Sequence, residues 1–214
     1  MFTTIKNHKW IILVCFLYLL FIGVAGIGGN YPTNDDWYFV RQVKAFSLGI
    51  YSLHAKVLPI FLTQGVLGLI WGSLFGISFN ALRFLTLLIT LLSAIFFYKT
   101  LLLVNKSKEM AAFGSVLFLF NPLVLSSAFT FMTENYYLLF IVVGTYFSIR
   151  YYTDQINRDF YLALLFISFA SLTRQTGLFL FVSLVIPLLT NRKLNFVPIK
   201  KVSYVIFLLI TLLL

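Results

Sequence analysis

The charges of this chain arrive in small clusters separated by long apolar runs. Those runs are Trp10–Gly28, Leu58–Phe79, Ala81–Val104, Met110–Phe131, Asn135–Tyr152, Phe160–Leu172, Gly177–Leu189 and Ser203–Leu214. The first holds 19 residues, or ~28 Å at ~1.5 Å per residue, enough to span a bilayer's hydrocarbon core. So many runs cannot share one soluble core. Hydrophobic residues are 61% of the chain and charged residues 10%, where a soluble domain carries ~25%. The expected fold is therefore all-α: a polytopic membrane helix bundle.

The net charge of +10 would point to nucleic acid in a soluble protein. Beside membrane spans, cations are expected on the cytoplasmic side for topological reasons, so nucleic acid is not an expected partner. The single Cys15, inside the first run, offers neither a disulfide nor a zinc cluster. Lys6 and Lys9 precede the first run, and Ala25-Gly26 is only a faint cleavage signal, so the first helix is read as uncleaved. Ser203–Leu214 reads as an incomplete span, which makes the chain the N-terminal part of a longer protein.

Topology turns on Leu58–Phe79. If it crosses, the clusters Lys106/Lys108, Arg150/Arg158 and Arg192/Lys193/Lys200/Lys201 all fall outside. If it lies at the surface or re-enters, they join Lys6 and Lys9 inside, as the positive-inside rule prefers. Its Gly65, Gly68, Gly72 and Gly76 also suit short helices packed on protein better than a lone lipid-facing span. The reading is thus one transmembrane domain over residues 1–214, with a cytoplasmic N-terminus in a bacterial or archaeal plasma membrane, or in the endoplasmic reticulum membrane of a eukaryote. Helix 1 covers about 10–28 and an external loop with amphipathic juxtamembrane helices about 29–80. Further helices cover about 81–104, 110–131 (kinked at Asn121-Pro122), 134–152, 160–172, 177–189 and, incompletely, 203–214.

This topology gathers Asp35, Asp36, His54, Lys56, Arg83, Glu134 and Arg174 on one face. Ionisable groups at such positions lean functional. Asp35-Asp36 opens an amphipathic segment capped by Thr33 or Asn34, with Phe39, Val43 and Phe46 on one face and Arg41, Gln42 and Lys44 on another; it is either a helix start on the headgroups or an acid pair doing chemistry. Glu134 is a first-turn acid or a site residue. Arg174 sits in a polar island, Thr173-Arg174-Gln175-Thr176-Gly177, where it either snorkels or binds phosphate. Lys56 could hold a phosphate or anchor the loop, and His54 lacks a second ligand at metal spacing. Arg83 is a flank charge or a substrate contact. Trp37, Tyr38, Tyr136 and Tyr137 read as interfacial aromatics.

The order of these features resembles the membrane glycosyltransferases of the C-type superfold, nearest to the protein O-mannosyltransferases and the lipid A aminoarabinose transferase (glycosyltransferase family 39). It rests on Asp35-Asp36, Lys56-Val57-Leu58-Pro59, Phe75–Arg83, the Asn121-Pro122 helix ending in Thr133-Glu134, and Leu172–Gly177. The family's lysine is often followed directly by two prolines, and its arginine by glycine; here Val57-Leu58 and Gln175-Thr176 intervene. The resemblance implies inverting transfer from a polyprenyl-phosphate sugar to a protein or glycolipid at the extracytoplasmic face. It makes Asp35 the catalytic acid, with Asp36 beside it, and Lys56, Glu134 and Arg174 substrate contacts; His54 and Arg83 join them as candidate substrate contacts from their place on the same face. Chemically, a carboxylate suits the base and fixed cations suit the departing phosphate. No nucleotide-binding fingerprint is present. No cofactor is assigned, and a divalent metal at Asp35 or Asp36 is left open. The main alternative is a transporter or flippase for a lipid-linked saccharide. A polysaccharide polymerase or ligase and a structural membrane subunit are further ones.

Overall fold

The structure is a computed structural model. It describes residues 2–52 and 61–190, with side chains from 9 to 52 and 61 to 184. His54, Lys56 and the 203–214 run lie outside the described residues. The helices are α1 (Phe2–Ala25), α2 (Asp36–Ser47), α3 (Leu62–Phe75), α4 (Phe79–Asn105), α5 (Lys108–Leu119), α6 (Pro122–Ala128), α7 (Thr133–Asp154), α8 (Asn157–Thr173) and α9 (Phe179–Thr190), with a 3-10 turn at Gln175–Leu178.

Several boundaries differ from the periodicity for local reasons. α1 stops at Ala25 rather than Gly28 because Gly26 and Gly28 take φ of 72° and 83°, a left-handed backbone that ends a helix. The 110–131 run is two helices bent by 61°. Pro122 sits in the first turn of α6, and the Asn121 side chain accepts a 3.0 Å bond from the Leu123 N–H; a proline start with an asparagine cap begins a new helix better than it continues an old one. α4 begins under Ser78, whose Oγ accepts from the Ala81 N–H at 3.1 Å. It ends where Lys106 takes φ 57°.

Contacts along each helix pair give their directions. Trp10 bonds Glu109 at 2.9 Å and Phe21 meets Phe120 at 5.5 Å, so α1 and α5 run parallel. Phe97 stacks on Phe118 at 4.9 Å, and a Cβ on Gly114 would meet Leu101, so α4 and α5 are antiparallel. Thr86 pairs with Tyr136 at 3.3 Å and Phe96 with Tyr146 at 5.5 Å, which sets α4 and α7 parallel. Phe140–Phe169 and Tyr151–Phe160 contacts make α8 return beside α7. Successive legs α1, α4, α5–α6, α7 and α8 therefore alternate in direction.

α1 ends where α4 begins. The Phe79 N–H donates to the Asn30 side chain at 3.0 Å, and Arg83 donates to the Gly29 carbonyl at 2.9 Å. The excursion carrying α2 and α3 leaves and returns at one end of the bundle, so α3 does not cross it. Its 14 residues, ~21 Å, are also short of a ~30 Å core. Gly65, Gly68 and Gly72 face inward: a Cβ on Gly68 would lie 2.8 Å from Phe131 and 3.0 Å from Val43.

The burial pattern is that of a protein whose solvent is lipid. Arg83, Asp36, Gln64, Asn135 and Asp159 are buried, while Phe16, Ile70, Phe113 and Leu117 are more than half exposed. Hydroxyls along α4 bond back within the helix: Thr86 to the Leu82 carbonyl, Thr90 to Thr86 and Ser93 to Ile89. These three hydroxyls are thus satisfied without water. Among the described helices, α4 alone is long and apolar enough to cross a bilayer by itself; the bent pair α5–α6 passes together. The chain is an all-α membrane helix bundle.

Candidate active-site cleft

The two adjacent acids have different fates. Asp36 is fully buried and faces Arg83, itself 1% exposed. Its Oδ2 receives Arg83 Nη2 at 2.7 Å and Nε at 3.0 Å, and its Oδ1 receives the Thr33 N–H at 2.9 Å. Arg83 also donates to the Gly29 and Tyr31 carbonyls and to the Thr33 hydroxyl. Its guanidinium therefore pins the strap 29–36 against α4. The helix-start reading placed a cap at Thr33 or Asn34; the bond instead runs the other way, from the Thr33 N–H to the acid three residues on. Asn34 takes φ 56°, which turns the strap into the helix.

Asp35 occupies the cap position of α2 but makes no side-chain cap bond, and its side chain is exposed. With Tyr38 and Phe39 from the same helix it lines one wall of a cleft of about 410 Å3. The α6–α7 turn supplies Met132, Thr133 and Glu134, and the α8 end supplies Arg174. Three turns remote in sequence thus meet at one end of the bundle. The Asn34 amide, 3.6 Å from Met132 Sδ, ties the first two together.

Arg174 is half-exposed and reaches Glu134 Oε1 with Nη1 at 3.3 Å. The other carboxylate oxygen, Oε2, is buried and has no hydrogen-bond partner. Arg174 is held by its backbone: its N–H donates to the Ala170 carbonyl at 2.8 Å, and its carbonyl accepts from the Gly177 N–H at 2.8 Å. Gly177 has no room for a side chain, since a Cβ would stand 2.5 Å from the Ser171 nitrogen. The Thr176 hydroxyl donates to Tyr137 at 2.9 Å, closing the tip onto α7. A smaller apolar recess of about 180 Å3, walled by Leu123, Val124, Tyr137 and Leu138, opens on the far side of the same Glu134–Arg174 pair.

The structure brings Asp35, Glu134 and Arg174 together and sets Asp36 and Arg83 apart as a buried pair. Sequence reasoning missed the lining by Tyr38, Phe39, Met132 and Thr133, although Tyr38 and Phe39 lie one turn on from Asp35. Tyr136 and Gln42 need correction. Tyr136 is a core residue bonded to Thr86 rather than an interfacial aromatic. Gln42 lies on the buried face of α2 and donates to the Ser52 carbonyl at 2.9 Å. Among the described residues no three His, Cys, Asp or Glu side chains assemble a metal site, and Asp36 is already neutralised by Arg83.

The chemistry offered is an exposed carboxylate, Asp35, and a guanidinium, Arg174, lining one cleft. Residues 67–214 match the family model of the dolichyl-phosphate-mannose-protein mannosyltransferases. The match spans α4 to α9, with Glu134 and Arg174, and begins after the strap that carries Asp35 and Asp36. No curated protein and no solved structure matches the chain. The chain belongs to the dolichyl-phosphate-mannose-protein mannosyltransferase family, and is a mannosyltransferase-type membrane glycosyltransferase of the C-type superfold.

Proposed function

We propose that this protein transfers a mannose-like sugar from a polyprenyl-phosphate carrier to a hydroxyl of a protein acceptor, at the extracytoplasmic end of a multi-pass domain, with inversion at the sugar's C1. The observation that carries this reading is the meeting of Asp35, Glu134 and Arg174 in one cleft. Asp35 takes the proton of the acceptor hydroxyl, whose oxygen forms a bond to C1 while the C1–O bond to the phosphate breaks. The charge that develops on the phosphate is met by Arg174, with Lys56 a second cation. Glu134 holds Arg174 through Oε1 and so fixes where the guanidinium stands in the cleft. A fixed cation near a departing phosphate stabilises the transition state without reorganisation.

Asp36 and Arg83 have a positioning role in this scheme. Their pairing sets the first turn of α2 and so aims Asp35. The apolar recess beside Leu123 and Leu138 suits the first prenyl units of the carrier, adjacent to the phosphate that Arg174 holds.

The test uses full-length protein in liposomes with a labelled polyprenyl-phosphate mannose, comparing wild type with Asp35→Asn. Transfer is expected to fall by about 10²–10⁴-fold, the contribution of a general base, with donor binding retained. Undiminished transfer would remove Asp35 from the chemistry. Movement of the label across the bilayer without transfer would replace the enzyme by a flippase.

A further inference from the structure

α2 has two working sides. Tyr38 and Phe39 turn toward the Asp35 cleft, whereas Trp37, Arg41 and Lys44, at i, i+4 and i+7, form a single stripe on another side. With Asn30, Pro32 and the Ser78-Phe79 start of α4, that stripe lines a second cavity of about 660 Å3. Among the described residues, neither the Arg41 guanidinium nor the Lys44 ammonium has a hydrogen-bond or ion-pair partner. No carboxylate lines the cavity.

The other polar walls are donors too. The Asn30 Oδ1 accepts from the Phe79 N–H and the Ser78 Oγ from the Ala81 N–H, which leaves these two side chains their N–H and O–H groups to donate. Two cations without a protein partner, an amide and a hydroxyl meet where no carboxylate competes, which is the chemistry of an oxyanion site. The setting selects the kind of oxyanion. The cavity lies at the end of the bundle where α1 finishes and α4 starts, and Trp37 lines it. In the chain, Tyr31 between the lining residues Asn30 and Pro32 is 59% exposed, and Leu74 and Phe75, just before the lining residue Ile77, are 72% and 62% exposed. An amphipathic aromatic among cations beside bare apolar surface is a headgroup-level arrangement.

We propose that this cavity binds the phosphate of an anionic membrane phospholipid, with the acyl chains lying along the exposed apolar residues of α3. The site is distinct from the transfer cleft, because the body of α2, about 10 Å across, stands between Arg41 and Asp35. A lipid held here would fix the height of α2, and with it Asp35, at the membrane surface.

The test reconstitutes the full-length protein in phosphatidylcholine vesicles containing a minor fraction of phosphatidylglycerol, extracts it gently, and measures the retained lipids by mass spectrometry. Wild type is expected to enrich phosphatidylglycerol, and Arg41→Gln with Lys44→Gln to lose that enrichment by about fivefold per cation. Arg41→Lys with Lys44→Arg should keep it. If the double glutamine variant unfolds, Lys44→Gln alone reads the same ratio. Equal enrichment in wild type and the glutamine variants would overturn the proposal. So would displacement of the lipid by inorganic phosphate, which would make the ligand a soluble anion. A raised KM for the sugar donor with lipid retention unchanged would also overturn it, because it would hand the cations to the donor.

Discussion

Two neighbouring acids with the same side chain differ because one faces an arginine and the other faces a cleft. Asp36 and Arg83 are both buried, and each is the other's compensation. Removing one partner leaves an uncompensated charge in a low-dielectric site, at a cost of about 3–5 kcal/mol. Asp36→Asn is therefore expected to lower the unfolding temperature of the detergent-solubilised protein sharply, and adding Arg83→Gln should recover part of the loss. Asp35→Asn should leave that temperature unchanged while transfer is lost. A fall in transfer by Asp36→Asn at unchanged unfolding temperature would put Asp36 in the chemistry. The pairing itself was not legible in the sequence. An acid pair after an apolar run and an arginine near a helix start were visible, but 47 residues separate Asp36 from Arg83, and no periodicity links an irregular strap to a helix.

At the scale of elements, what the sequence showed well was where local chemistry speaks. The Asn121-Pro122 break, the start of α4 under Ser78 and the short glycine-faced α3 follow from caps, a proline and small residues. What it showed poorly was which side of a short helix is buried. In α2 the polar Gln42 turns inward because the Ser52 carbonyl awaits it, and hydrophobic periodicity cannot announce a tertiary hydrogen bond. The α8 end carries the element-level prediction. In Gly177→Ala the new methyl would press on backbone atoms of Ala170 and Ser171 at 2.5–2.7 Å, and backbone cannot swing aside as a side chain can. The tip that presents Arg174 must shift. Overpacking of this kind costs about 1–3 kcal/mol, and a displaced cation of the proposed phosphate site should raise KM for the donor about tenfold or more. An unchanged KM would separate the tip from donor binding.

For the whole molecule, charge clusters and the positive-inside rule argue for an α3 that lies at the membrane surface instead of crossing. The orientation in the membrane is the prediction at this scale. In a Cys15→Ser background, Ser47→Cys and Ser73→Cys flank the α2–α3 excursion, while Asn105→Cys lies at the far end of α4. A membrane-impermeant maleimide applied outside should label the first two and spare the third in intact cells. Opposite accessibility of positions 47 and 73 would mean that α3 crosses after all.

The contacts of Asn30 and Gly29 with Phe79 and Arg83 also make the excursion a closed stem. Everything between Arg83 and the strap it pins hangs from a fixed base, much as a loop hangs from a paired stem in folded RNA. Once such a stem is closed, lengthening the loop is inexpensive, about 0.6 kcal/mol for each doubling. The α2–α3 appendage can therefore be extended beyond Ser47 with Asp35 left in place, since the strap, Asp36 and Arg83 all lie on the near side of the closure. The candidate cleft is built on the stem and the first turn of α2, and both helices stay packed on the bundle through Val43, Gly68 and Gln64, so insertions between α2 and α3 are the ones that leave this packing alone.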